Sequence, residues 1–356
     1  MAYNILYIED DINGSVKSEL EQNGQFDVEV WNPNSIEELT SKVSGKDLIL
    51  ADFRLEKSGS IADGPSFAQA LRTRNSRTHI DIPIVLFSVE GNITDYYKDF
   101  TSQDLFDFSI PKGIYLGNSK KYNTRLLSVI GAYEEIKNKK FDLNSVLGVS
   151  QEFSANNLDY RIQFSLSKEI FSQDVHAYSH FILQNLIRSV GPLIGEDYLS
   201  AKLGISKESP DWEKLKSKLS EFKYSGIYSS SYNRWWSHGI ADWFQSNDKN
   251  KRSLRKLNAE ERTVSIKEIL SLNELSPLVK IEKGAYQAKS SKFWSICKET
   301  NLPIDIVDGF ELYEKELYPW QEPQYISFLG KSSKKYSQSI KPIEMQRIVE
   351  LENTLR

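Results

Sequence analysis

The sequence predicts an α/β chain: a doubly wound, five-stranded parallel sheet over residues 1–138, a connecting region at 139–160, and a mostly helical α+β domain over 161–356. Three observations carry this. Five short apolar runs alternate with helix-spaced segments through the first 138 residues. Three of those runs are continuously apolar, as in strands buried on both faces of a parallel sheet. The pattern stops past Lys140, and 356 residues are enough for two cores of ordinary size.

The elements follow in order. Ile5 to Ile8 is an apolar strand that runs into Glu9, Asp10 and Asp11, and Ser15 to Gln22 has helical spacing. Phe26 to Trp31 alternates and is rich in β-formers; Ser35 to Val43 reads as a helix with Ser35 as its N-cap. Asp47 to Ala51 is an apolar strand ending at Asp52, and Pro65 to Arg74 gives the next helix. Strands at Ile82 to Phe87 and Phe106 to Ile110 come next. A closing helix at 121–137 carries Leu126, Leu127, Val129, Ile130 and Tyr133 along one side.

Composition narrows the classes. At 39% hydrophobic and 26% charged the chain reads as globular, and it has no apolar run near the roughly 20 residues that cross a bilayer. The opening MAYNILYIEDD enters a strand at once, without the basic segment of a signal peptide. Cys297 is the only cysteine, so no intrachain disulfide forms and a cytoplasmic location is expected. Up to Glu135 there are 13 Lys and Arg against 21 Asp and Glu, a net −8; the rest has 32 against 28, a net +4. An acidic first half argues against nucleic acid there, and the weak excess in the second does not argue for it.

In a doubly wound sheet the chemistry gathers at the carboxyl ends of the strands. Those ends carry Glu9 and Asp10, then Asp52, Ser88 and Lys112. Alone, each residue type has an ordinary use as a turn former, cap or solvated group. Together, ILYIEDD, DLILADFRL, a DG followed by SFAQALR, PIVLFS and IPKG, in that order over about residues 3–137, resemble the receiver domain of two-component response regulators. The resemblance covers about two-fifths of the chain and implies a flavodoxin-like fold. It also implies that Asp52 is a phosphoacceptor, that Asp10 and Asp52 ligate Mg²⁺ directly, and that Glu9 does so through water. The Arg54 backbone carbonyl completes the protein ligands, Lys112 pairs with phosphoryl oxygens, and Ser88 hydrogen-bonds one of them. The chemistry is coherent: an aspartate is a weak nucleophile toward a phosphoryl group, and a cation and positioned donors must offset the charge.

Departures from the family pattern are informative. Glu56 stands where Pro is usual, and about four extra residues within EKSGSIAD precede Gly64, which lengthens the loop over the site. Ser109 stands at a usually aromatic position, and Gly113 replaces the usual Pro after the lysine, which puts the expected cis peptide in doubt. Arg54 and Glu90 fall at positions that in the family the chain resembles flank the path of the hydrolytic water, and an ion pair between them is expected to slow dephosphorylation.

The second half resembles no family. Helices are expected at Ser172 to Val190, in GEDYLSAKLGI, at Ser209 to Phe222 with Ser209 as N-cap, at 231–246, at 258–272 and at Ile343 to Leu355. His176 and His180 have zinc spacing without a third ligand, and Cys297 reads as a core residue. Neither a phosphate-cradling Gly loop nor a Gly-x-Ser-x-Gly elbow occurs, so no enzymatic output is expected beyond gain and loss of a phosphoryl group at Asp52. Six of the seven Trp lie beyond residue 200; Trp236, Ile240 and Trp243 are expected on one helix face, chiefly as core. Trp235 and Trp236 with Lys251, Arg252 and Arg255 are the candidate contacts for a protein partner or, less favoured, nucleic acid across residues 228–256. The expected protein is a response regulator served by a histidine kinase and controlling an interaction domain, with a homodimer compatible. The alternative is a phosphate sink or relay, with no output of its own, that competes with another receiver for the kinase.

Overall fold

The computed structural model describes the chain except residues 1, 11–14, 34, 36–37, 56–62, 74–79, 99–103, 169–172, 284–285, 315–316, 332–338 and 356. The enlarged loop expected over the site falls at 56–62, outside the described residues. Two compact units make up the chain: residues 1–150, 163–183 and 226–231 in the first, and 151–162, 184–225 and 232–356 in the second. Among the described residues no helix is long and apolar enough to cross a membrane.

The first unit is built on strands β1 (Tyr3–Ile8), β2 (Phe26–Trp31), β3 (Leu48–Ala51), β4 (Ile84–Ser88) and β5 (Phe108–Pro111), all parallel, in the order β2-β1-β3-β4-β5. Helices α1 (Ser15–Glu21), α2 (Leu39–Val43), α3 (Gly64–Arg72), α4 (Glu90–Lys98), the single turn α5 (Lys112–Tyr115) and α6 (Ser119–Asn138) connect and follow them. Alternation along the strands divides the core. Leu6, Ile8, Ile49, Ala51, Ile84 and Leu86 pack with Leu39, Phe67, Leu71, Ile93 and Tyr96 from α2, α3 and α4. The alternate residues Tyr7 and Phe87 meet edge to face, and Phe87 meets Tyr115 in the same way. This is the doubly wound parallel sheet that the apolar runs predict, in the flavodoxin-like order that the resemblance implies.

Local differences have local causes. Helix α2 begins only at Leu39, after Glu38, with no side-chain cap, so Ser35 is not its N-cap. Helix α4 was not anticipated: EGNITDYYK holds poor helix formers, and Ile93 and Tyr96 are the only buried side chains among its described ones. Helix α3 is specified more firmly, because Asp63 accepts from the Ser66 N–H at 3.0 Å and Pro65 fixes the first turn. A Cβ at Gly64 would lie 1.8 Å from the Asp52 carbonyl oxygen. Only glycine lets α3 start this close to the end of β3.

A buried polar network closes the other end of the sheet. Asp107, fully buried just before β5, accepts from the Ile84 N–H at 2.9 Å, the Tyr133 hydroxyl at 2.8 Å and Arg72 at 3.2 Å. His176, on the helix Val175–Ile182, meets the Tyr133 hydroxyl at 2.9 Å through Nδ1 and the Asp104 carbonyl at 2.5 Å through Nε2. That accounts for His176 without zinc, and no group of three metal-binding side chains occurs among the described residues. Burial alone would raise the Asp107 carboxyl, but His176 and Arg72 outweigh it and hold it down to about 2. Its folded value lies below its unfolded value, so its stabilisation is present above 3.8 and is lost as pH falls toward about 2. Asp107→Asn is expected to cost about 3–5 kcal/mol, because Arg72 is left buried without its charge partner. The variant should also lose this acid limb in urea unfolding followed across pH.

The second unit is helical with small antiparallel ribbons. Helices Glu196–Leu203, Trp212–Lys218, Ser237–Asn247 and Ala259–Leu270 surround a core that includes Leu199, Leu203, Trp212, Trp235, Phe244 and Ile266. A capping box between Asn258 and Glu261 starts Ala259–Leu270. Ser209 is not a cap; its hydroxyl donates to the Ser206 carbonyl and accepts from the Ser276 N–H. Trp235 and Trp236 form a two-residue strand paired with Leu193 and Ile194, so Trp236 precedes the helix instead of sharing its face. Cys297 is fully buried in a second cluster with Phe310 and Ile326, as a core residue.

Candidate functional site

The sheet order reverses at β1 and β3, which opens a crevice at the carboxyl ends of its strands. The ladder continues one residue past each of these strands: the Glu9 N–H donates to Trp31 O and the Asp52 N–H to Ile8 O, both at 3.0 Å. That fixes two carboxylates side by side. Ser88 ends β4, and Lys112 follows β5 at once.

Four of the expected side chains meet here. Lys112 Nζ lies 2.6 Å from Asp52 Oδ2 and also donates to Glu9 Oε2, so one ammonium serves two carboxylates. The Ser88 hydroxyl donates to Asp52 Oδ1, which also accepts from the Phe53 N–H at 2.6 Å. Glu9, Asp52 and Ser88 are buried. Burial, with the charge of Glu9, raises the Asp52 carboxyl above its ordinary value against the pull of Lys112 and Ser88. Burial also presses on Lys112, but Asp52 and Glu9 outweigh it and leave the ammonium above its usual value. Burial sets the direction for Asp52, and two carboxylates on one cation set it for Lys112.

Three neighbours escaped the sequence reading. The Tyr7 hydroxyl donates to Glu9 Oε2 at 2.5 Å, two residues along the same strand face, a spacing that could have revealed it. Asn92, on the unanticipated α4, donates to the Ser88 hydroxyl at 3.2 Å. Tyr97, also on α4, donates to Ser109 Oγ at 3.3 Å. The aromatic residue near this position thus comes from a helix, not from β5.

Other expectations are corrected. Arg54 and Glu90 are both exposed, and among the described residues no ion pair joins them; a solvated pair would gain little. Trp236 is buried against Phe153 and Tyr224, and Trp235 is buried in the core with Ile194 and Phe244, so they offer no open aromatic platform. Of the basic run, Arg252 is held by Asp248 at 2.8 Å and Arg255 by Asp305 at 3.0 Å, while Lys251 bonds the Ser246 carbonyl.

The donor set can be weighed against a divalent cation. Glu9 and Asp52 already converge on one cation, the Lys112 ammonium, and Asp10 follows on the next residue, its N–H on Glu9 Oε1 at 3.1 Å. All the donors are hard oxygens, which suits magnesium. Among the described residues, however, no three acidic, His or Cys side chains close round a single point. The fit is therefore one of donor chemistry.

Fold and strand-end residues together define the class: an α/β unit with an acidic pocket and a lysine at its switch point. No protein-family model and no curated protein matches the sequence. Solved structures similar to the first unit include a sensor protein from Polaromonas sp. JS666 at 28% identity, covering 36% of this chain and 96% of that one, TM-score 0.29. The receiver domain of a Pseudomonas aeruginosa sensor histidine kinase, with magnesium coordinated in its active-site cleft, is 18% identical over 37% of this chain and 99% of its own, TM-score 0.28. The beryllofluoride-activated N-terminal receiver domain of Klebsiella pneumoniae RstA is 20% identical over 34% of this chain and 97% of its own, TM-score 0.26. Two of these three neighbours are described as receiver domains, and each match covers about a third of this chain.

Proposed function

We propose that the chain is a two-component response regulator that takes a phosphoryl group onto Asp52 from a histidine kinase and thereby controls its second unit. The observation that carries this is the shared grip on one carboxylate: Lys112 on Asp52 Oδ2 and Ser88 on Asp52 Oδ1. It adds to the five ordered motifs of the sequence. A carboxylate oxygen of Asp52 attacks phosphorus, the O–P bond forms, and the N–P bond to the donor histidine breaks. Lys112 follows the new charge onto the phosphoryl oxygens, and the Ser88 hydroxyl turns to donate to one of them. Glu9, Asp10, Asp52 and the Arg54 carbonyl would hold magnesium, which when bound offsets charge on the phosphoryl oxygens. The kinase partner assigns the protein to the cytoplasm.

Acetyl phosphate with magnesium is expected to label the full chain once, in a form released by neutral hydroxylamine, as an acyl phosphate is. Absence of label, or label that survives hydroxylamine, would overturn the reading.

A further inference from the structure

The second unit contains a cavity of about 320 Å³ with one cation, Lys202, in its wall and two arginines outside its lining on the Trp294 indole. Lys202, on Glu196–Leu203, lines it with a side chain only 5% exposed. Its Nζ lies 2.5 Å from Glu322 Oε1 and 4.4 Å from the centre of the Trp294 ring, which also lines the cavity. Arg255 and Arg262 stand over the same indole at 5.4 and 5.8 Å. Three cations therefore meet two carboxylates. Glu322 takes Lys202 and Asp305 takes Arg255, while Arg262, fully buried, donates only to main-chain carbonyls. One positive charge exceeds its side-chain partners in a poorly solvated place, and an anion would balance it.

The remaining wall describes the rest of the ligand. Ile194, Ile240, Ala241, Leu254 and Trp320 give an apolar surface, and Asp159 at another edge is already held by Arg161 at 2.6 Å. The wall at residues 319–322 is fixed by the Glu322 N–H on Val190 O at 2.8 Å, and a Cβ at Gly191 would lie 2.3 Å from Trp320 O. An ammonium has three donors and Glu322 takes one, so Lys202 can also donate to a ligand. Burial, reinforced by Arg255 and Arg262, keeps the Lys202 amine below its ordinary value despite Glu322. A second anion would relieve that pressure.

We propose that this cavity binds a small organic acid, an apolar flat body bearing one carboxylate or phosphate that Lys202 and its cationic surroundings hold. The volume lies at the small end of ligand pockets, about the size for a single-ring acid. Saturation-transfer NMR on the full chain with benzoate, phenyl phosphate and neutral benzamide tests it. Benzoate or phenyl phosphate is expected to saturate below about 1 mM, and the tighter of the two names the acid group. Benzamide should bind about tenfold more weakly, and Lys202→Gln should weaken the acid about tenfold, as loss of a charge-assisted hydrogen bond does. Ala241→Trp, which fills the cavity and leaves Lys202 with Glu322, should abolish binding with the thermal transition retained. Equal binding of acid and amide, no acid bound below about 1 mM, or wild-type affinity in either variant would overturn the proposal.

Discussion

Lys112→Met is expected to slow phosphoryl uptake from acetyl phosphate about 10²–10³-fold, the usual cost of removing one preorganised charge from a reacting oxyanion. The structure gives a second effect of the same change. Glu9 and Asp52 share the Lys112 ammonium, 2.6 Å from Asp52 Oδ2, and burial already raises the Asp52 carboxyl. Without the ammonium that carboxyl rises further, so a larger fraction is protonated and cannot attack. The remaining activity of the variant should therefore increase with pH over a range where the wild type is flat. Lys112→Arg, which keeps the charge in a different shape, should fall between the two. Initial rates across pH check this; an unchanged rate in Lys112→Met would show that the ammonium plays no part in transfer.

Arg262→Met is expected to destabilise the second unit by about 4 kcal/mol, a large part of the 5–15 kcal/mol that holds a domain together. Its guanidinium makes five hydrogen bonds to the carbonyls of Leu257, Ala201, Lys202 and Phe293. These tie the helix Ala259–Leu270 to the end of Glu196–Leu203 and to the segment before Ser295–Ile296. Methionine fills the volume but takes the guanidinium donors from those carbonyls, of which only Ala201 O is shown with another, the Gly204 N–H. Lysine should restore little, because one ammonium cannot span acceptors that a planar fork reaches together. Urea unfolding read by tryptophan fluorescence reports on this unit, since six of the seven Trp lie beyond residue 200. Wild-type stability in Arg262→Lys would contradict the assigned role.

The first unit was legible because its signals are local or repeat at fixed places in the fold. Continuous or alternating apolar runs announced the five strands, and the polar residues at or directly after their ends, Glu9, Asp52, Ser88 and Lys112, came together because strand ends in a parallel sheet converge. What was not legible depends on contacts distant in sequence. Tyr7 and Asn92 touch the site only once the sheet and α4 are in place. Trp235 and Trp236 looked helical by spacing, but pairing with Leu193 and Ile194 made them a buried strand. Lys202 and Arg262 sit in helices where a basic residue ordinarily faces water; Glu322, 120 residues away, and carbonyls up to 61 residues away draw them inside. A period of 3.6 marks a helix's faces but does not say which charges the remaining chain will cover.

The central claim is that Asp52 accepts the phosphoryl group. Asp52→Asn should fold, with a thermal midpoint raised by a few degrees, because the raised carboxyl of Asp52 marks a buried charge whose loss relieves its repulsion with Glu9. The most direct measurement is intact mass after treatment with acetyl phosphate and magnesium, wild type beside Asp52→Asn. One added phosphoryl group on the wild type and none on the variant is the expected result; equal uptake by both would contradict it.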